Sequence, residues 1–175
     1  GVRVIWLKGE TDMLGALEEV ESFGEFAKRN NAVASTDVKS FEHLICTEQL
    51  SRRLGFKVGE ELIRVVRVRS LNGNARQVDH GYFLESIAKG LTPEIAAKSI
   101  YDYLEHKRGV KVMASRRTVS VELANDEDCS YLDLGKYNCV AVMESQSYTS
   151  DGILFEVTHA RTHPEIFHYR VNSKR

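Results

Sequence analysis

A reversal at Asn72-Gly73-Asn74 constrains this 175-residue chain more than any other stretch. Ahead of it, Leu62 to Leu71 sets β-branched Ile63, Val65, Val66 and Val68 among arginines without helical spacing, which predicts a strand. Asn and Gly accept the positive φ that a tight reversal needs, so the chain returns through Ala75 to Phe83 as the second arm of a hairpin. Residues two apart on a strand share a face, which places Arg67 and Arg69 together. Loop length then decides the chemistry. With Asn72-Gly73 as a two-residue loop, Asp79 lies opposite Val66, away from the arginines. With Asn72-Gly73-Asn74 as a three-residue loop, Asp79 falls opposite Arg67 and Gln77 opposite Arg69, and only this register builds a charged site. Spacing alone leaves two readings open: a structural Arg–Asp pair on a solvated face, or forked guanidiniums set for a phosphate or carboxylate, with a carboxylate nearby for a hydroxyl or amine.

The rest of the composition narrows the class. A 42 % hydrophobic content and this length suit one domain with a real core. The formal net charge of −1 advertises neither a nucleic-acid nor a membrane partner. Cys46, Cys129 and Cys139 are odd in number and lack CxxC spacing, which fits a reducing, cytoplasmic compartment and neither a disulfide scaffold nor a zinc site. No run is long and apolar enough to cross a bilayer. The chain opens Gly1-Val2, without an initiator Met, and reads as part of a longer protein.

Along the chain, Leu14 to Asn30 has helical character, but Ser22-Phe23-Gly24-Glu25 is a capping box, so a helix could start at Ser22 and offer its N-terminus to an anion. Ala32 to Leu44 reads as a strand and Thr47 to Leu54 as a short helix stopped at Gly55. Thr92-Pro93-Glu94 opens a helix with Ile95, Ile100, Tyr103 and Leu104 buried, ending at Gly109; Ser99 and Tyr101 ride on it with hydroxyls that could reach a ligand. Val110 to Leu123 is a strand carrying Arg116 and Arg117 on opposite faces. Asn125 caps a short acidic helix that runs to Leu134. Strands follow over Cys139 to Tyr148, Ile153 to Arg161 and Glu165 to Val171, with turns at Ser150-Asp151-Gly152 and Pro164. Long strands, short turns and helices grouped near both ends predict an α+β domain on a mostly antiparallel sheet.

The sequence holds no GxGxxG, P-loop, GxSxG or HExxH pattern. His159 and His163, four apart, would converge on a metal only from a helix, and they fall on strand and turn. Glu156 sits in the apolar run Leu154-Phe155-Glu156-Val157, either on the solvated side of its strand or aimed at a ligand.

Taken together, these pieces resemble the effector-binding domain of GntR-type transcriptional regulators of the HutC subfamily, the UTRA domain. The resemblance spans about Leu17 to Val171. It is carried by Leu54-Gly55 with Gly59, Arg67-Val68-Arg69 with Asn72-Gly73, Tyr82, Ser99-Ile100-Tyr101 before Leu104-Glu105, Leu132 to Leu134, and Asp151-Gly152 before Phe155-Glu156. It implies a chorismate lyase-like fold, dimeric association and no enzymatic activity or cofactor. Residues 1–14 would then be a linker from a winged-helix DNA reader and residues 15–175 the sensor, meeting operator DNA only through that reader.

In family members that sense sugar phosphates, ligand contacts match Ser22, Phe23, Arg67, Arg69, Asp79, Ser99, Tyr101 and Glu156, with Thr162 also near the ligand. The phosphate is expected among Ser22, Arg67, Ser99 and Tyr101, and the sugar at Asp79 and Glu156. Ser99 to Tyr103, Asp126 to Asp128 and Leu132 to Tyr137 are most similar to members governing trehalose operons, whose inducer is trehalose 6-phosphate; an amino-sugar phosphate such as glucosamine 6-phosphate comes next. Ala75 and Thr162-His163 depart from the family, which often has Pro and bulky aromatic or basic residues there. The competing expectation from the same fold is a chorismate lyase-type enzyme acting on a small carboxylate.

Overall fold

The computed structural model describes residues 14–15 and 20–169, so residues 1–13 of the expected linker lie outside the described residues. In chain order the elements are β1 (Leu14–Gly15), α1 (Phe23–Arg29), β2 (Ala34–Ile45), α2 (Glu48–Leu54), β3 (Glu61–Leu71), β4 (Asn74–Leu84), α3 (Pro93–Ala96) and α4 (Ile100–Asp102). There follow a π-helical turn over Tyr103–Lys107, β5 (Val112–Leu123), α5 (Asp126–Tyr131), β6 (Cys139–Thr149), β7 (Leu154–Thr162), a 3-10 turn over Pro164–Ile166 and β8 (His168–Tyr169).

Six strands form one antiparallel sheet in the order β2-β3-β4-β7-β6-β5, and β1 pairs with β8 in a separate parallel ribbon. This is the expected α+β architecture.

The hairpin has the useful register by an unexpected route. Asn72 and Gly73, with φ of 50° and 81°, make a two-residue turn that pairs Leu71 with Asn74. A bulge at Arg76 then adds one residue to β4, so Arg69 pairs with Gln77 and Arg67 with Asp79. The three-residue loop is therefore wrong while the pairing it served is right. The bulged Arg76 is held from outside the hairpin: its carbonyl accepts from His163 N–H at 2.8 Å, and its Nη1 donates to Glu165 at 2.9 Å.

The helix expected from Thr92 to Gly109 is broken into short pieces. Thr92 caps α3 as anticipated, but Ser99 leaves the helical region (φ −143°, ψ 113°) and its hydroxyl accepts from Asp102 N–H, starting a second helix. A serine that can bond its neighbouring backbone competes with helix continuation. At the other end, the described part of the strand expected over Glu165 to Val171 opens with the 3-10 turn and pairs only from β8 onward, residues 170–171 lying outside the described residues. The helix near the N-terminus starts late, behind the capping box of Ser22 and Glu25.

Helices cover both sides of the sheet. On one side, α1, α4 and the π turn bring Ala27, Ile100 and Leu104 against the odd-numbered residues of β3. On the other, Leu132 and Leu134 after α5 pack on Val66, Val78, Val140 and Val142. Phe56, Phe83 and Phe155 are fully buried, each contributing roughly 1.5–3 kcal/mol of transfer free energy.

Candidate functional site

Strand alternation and pairing assemble the site. Arg67 and Arg69 of β3, Gln77 and Asp79 of β4, Glu156, Thr158, Ala160 and Thr162 of β7, Met143 and Ser145 of β6, and Ser115 and Arg117 of β5 lie on one sheet face. Ser22, Phe23 and Phe26 from the start of α1, Tyr101 from α4, and Ile166, Phe167 and Tyr169 close over them. The cavity between them holds about 160 Å³.

Three charges dominate one end. Asp79 accepts from Nη2 of Arg67 at 2.5 Å and from Nη2 of Arg69 at 2.9 Å, all through a single oxygen, Oδ2. Burial pushes the Asp79 carboxyl up, and the two guanidiniums outweigh it and hold the group below its usual range. One carboxylate does not satisfy two arginines. Nε of Arg67 and Nε of Arg69 are buried without a hydrogen-bond partner among the described residues. Such donors are costly to leave unmade, by about 1–3 kcal/mol each. Burial and the neighbouring Arg67 charge also pull the Arg69 guanidinium down to about 10, against the counter-effect of Asp79. An additional anion would relieve both deficits. Phe23 lies flat enough on Arg69 for its ring centroid to sit 5.2 Å from the guanidinium carbon, a cation–π contact that orients the fork.

The other end is a carboxyl–hydroxyl chain. Tyr101 Oη donates to Glu156 Oε2 at 2.5 Å and lies 3.1 Å from Ser147 Oγ, which donates on to Ser115. Burial pushes the Glu156 carboxyl up, partly countered by Tyr101 and Ser147, and burial beside Glu156 pushes the Tyr101 phenol up as well. This end favours neutral, hydroxyl-rich chemistry.

Eight of the nine expected residues line the cavity: Ser22, Phe23, Arg67, Arg69, Asp79, Tyr101, Glu156 and Thr162. Ser99 does not; its hydroxyl sits at the start of α4, where it accepts from Asp102 N–H. Ser22 borders the cavity, yet its Oγ already accepts from Glu25 N–H at 3.3 Å, and Glu25 returns a carboxylate to Ser22 N–H at 2.8 Å. The helix start is thus occupied by its own acid. Thr162 donates to Gln77 at 3.4 Å across β4 and β7.

Sequence reasoning missed Arg117, Ser145, Thr158 and the Phe167-to-Tyr169 edge. The available signal was small polar residues recurring every second position in central strands, as in Ser145-Gln146-Ser147, where a core face would carry Val or Ile. His159 faces the other side of the sheet from the cavity, and His163 is buried with Nε2 3.0 Å from the Asp133 carbonyl and Nδ1 accepting from Glu165 N–H.

The family model described as the UTRA domain matches residues 29–168. The chain belongs to the UTRA domain family. The transcriptional regulator TreR of Bacillus subtilis is 28 % identical over 148 residues, covering 85 % of this chain and 62 % of TreR, so the chain spans about three fifths of that relative's length. The solved effector-binding domain of the B. subtilis trehalose repressor TreR aligns with a TM-score of 0.71 at 27 % identity, over 81 % of this chain and 98 % of that one. The B. subtilis regulator YydK aligns with a TM-score of 0.79 at 23 % identity, over 95 % and 71 %, a likeness of fold. This UTRA domain therefore sits among effector-binding domains of transcriptional regulators, with the chorismate lyase-like α+β architecture expected of them.

Proposed function

We propose that this UTRA domain senses a phosphorylated sugar, with trehalose 6-phosphate the foremost candidate, and thereby controls operator binding by a winged-helix domain outside the present chain. The observation that carries the reading is the pair of buried, unpartnered Nε donors on Arg67 and Arg69 beside a single shared carboxylate. A phosphate brings several acceptor oxygens to donors that lack them. We place the phosphate at this arginine end, next to Ser22, and not at Ser99.

Glu156, Tyr101, Gln77, Thr158 and Thr162 then supply donors and acceptors for sugar hydroxyls. The three cavity carboxyls are already engaged, Asp79 by two guanidiniums, Glu156 by Tyr101 and Glu21 by Arg29, which favours a neutral sugar over an ammonium-bearing one such as glucosamine 6-phosphate. The trehalose repressor among the relatives supports the same choice. On this reading residues 15–175 are the sensor, and the protein works as a homodimer whose two geometries the effector binds unequally.

A thermal-shift series with trehalose 6-phosphate, glucosamine 6-phosphate, trehalose and inorganic phosphate at matched ionic strength tests it. A ligand that binds only the folded state raises Tm by mass action. The expected result is a shift with trehalose 6-phosphate well above that with trehalose or phosphate. Equal shifts for trehalose and its phosphate would remove the arginine end from the site, and a larger shift with the amino-sugar phosphate would reassign the effector.

A further inference from the structure

The opposite face of the sheet carries a second and larger cavity of about 540 Å³, bounded by the end of α2 and the start of α5. Strand pairing lays its floor. Arg64, Tyr82, Val157, Gln146 and Arg116 stand side by side across β3, β4, β7, β6 and β5, and His80 and His159 pair with each other in the next row.

The cations of this cavity are unevenly matched. Arg161 is fully engaged by Asp128 and Glu122. Arg64 donates to Glu42 through Nη1 alone, at 3.3 Å to each oxygen. Among the described residues Arg53 donates only to the neutral Tyr82 hydroxyl, at 2.7 Å, with its guanidinium carbon 5.5 Å from the centroid of that ring. Arg116 has no hydrogen bond or ion pair among the described residues. Two carboxylates face the same space, and an imidazole meets each: Glu127 lies 2.8 Å from His80 Nε2, and Glu144, 63 % exposed, lies 3.9 Å from His159 Nε2. Gln146 donates to the Leu54 carbonyl at 3.3 Å, covering an oxygen at the end of α2 that would otherwise repel an anion. The unmatched positive charge therefore falls at two ends, Arg53 with Arg64 at one and Arg116 at the other, with the apolar Val157 between them.

We propose that this cavity binds a small organic anion with two oxyanion heads, phosphate or carboxylate, one held by Arg53 and Arg64 and the other by Arg116. Tyr82 and Arg116 lie three strands apart, about 14 Å between backbones. Side chains reaching inward from both ends leave a gap that a molecule with oxyanions a few bonds apart spans and a single oxyanion does not. Each contact is weak alone at these exposed arginines. Joined in one molecule, the second contact forms at high effective concentration.

Imidazole NMR tests the proposal, because His80 and His159 line this cavity and not the one on the other face. The probes are glutarate and propane-1,3-bisphosphonate, with butyrate and propylphosphonate as single-headed controls, at matched pH and ionic strength. The two-headed probe with the fitting head is expected to move the His80 and His159 signals saturably, with a Kd at least about tenfold below that of its single-headed control. Which of the two binds tighter tells phosphate from carboxylate. Arg116→Gln and Arg53→Met replace exposed residues outside the effector cavity, and each is expected to weaken the two-headed probe about tenfold, to the level of the control. His80 and His159 signals that neither two-headed probe moves, single-headed anions that bind as tightly, or variants that bind as the wild type does would each overturn it.

Discussion

Two buried arginine systems stand on opposite faces of the same sheet, and they are finished to different degrees. On one face Arg161 of β7 is complete: its Nε donates to Asp128 at 2.9 Å, its Nη2 to Asp128 and to the Leu123 carbonyl, and its Nη1 to Glu122. Asp128 is fully buried and in the same stroke caps α5, accepting from Asn125 N–H. On the other face Arg67 and Arg69 share one oxygen of Asp79 and keep two buried donors unpartnered. A network that closes on itself holds a fold together; one that stays short of acceptors at a cavity wall has donors left for a ligand on the reading proposed above. Both would read alike in a tally of ion pairs.

The largest expected effect separates the two. Arg161→Ala leaves Asp128 buried and uncompensated and should cost about 3–5 kcal/mol of unfolding free energy, read as a lower urea midpoint at unchanged m. Effector affinity of the folded fraction should stay as it was. Arg67→Ala should do the converse. Losing a charge-assisted, forked contact is worth roughly 1.5–3 kcal/mol of binding, about 10- to 150-fold in Kd by calorimetry. Its stability loss should be smaller than that of Arg161→Ala because Arg69 still neutralises Asp79. Equal stability losses with equal affinity losses would erase the distinction between the faces.

Why Arg67 was legible in the sequence and Arg161 was not follows from range. Arg67, Arg69 and Asp79 sit within one hairpin, where turn chemistry and a period of two fix relative position, so a register argument reaches them. Even there the answer depended on a bulge at Arg76, which is pinned by His163 and Glu165, residues almost ninety positions away that no local pattern couples to it. Arg161 meets Asp128 and Glu122 across three separate elements, and nothing local announces that meeting.

Ser99 fails for the opposite reason: its local chemistry was misjudged. Placed on a continuous helix, it could have presented its hydroxyl to a ligand, but a serine able to cap Asp102 N–H breaks that helix and sits at the start of the next one. The polar lining from Ser145, Thr158 and Arg117 was visible as alternation in β5, β6 and β7, yet which face those residues share emerges only from the strand order.

The carboxyl at the far end of the cavity sharpens the comparison through pH. Glu156 has its folded-state pKa raised by burial, so between the ordinary carboxylate range and that raised value the unfolded chain holds fewer protons than the folded one. Its contribution is therefore present at low pH and is lost as pH rises through the folded value. Asp79 has the reverse sign: its folded value is lowered, and its contribution is present above the ordinary carboxylate range and lost as pH falls. Glu156→Gln keeps a hydrogen-bond acceptor for Tyr101 and removes only the titration. The variant should lose the decline in stability on the alkaline side of the carboxylate range while keeping the acid-side loss due to Asp79. Urea midpoints across that interval measure it, and an unaltered profile would mean that Glu156 is not held as a protonated acid.

The smallest effects come from a matched pair of helix caps. Ser99 and Ser22 each accept from a backbone N–H three residues on, at 3.1 and 3.3 Å, and each opens a helix of seven residues or fewer. Replacing either by alanine should cost about 0.5–1 kcal/mol of stability through the lost cap. Only Ser22 borders the cavity beside Arg69 and Phe23. Ser22→Ala should therefore also weaken the sugar phosphate, by a few-fold, because it removes a hydroxyl at the arginine end whose O–H can donate to the phosphate while its oxygen accepts from Glu25 N–H. Ser99→Ala should leave Kd unchanged while lowering Tm by a comparable amount. An affinity loss in Ser99→Ala equal to that in Ser22→Ala would return Ser99 to the ligand and would require α4 to rearrange when the effector binds.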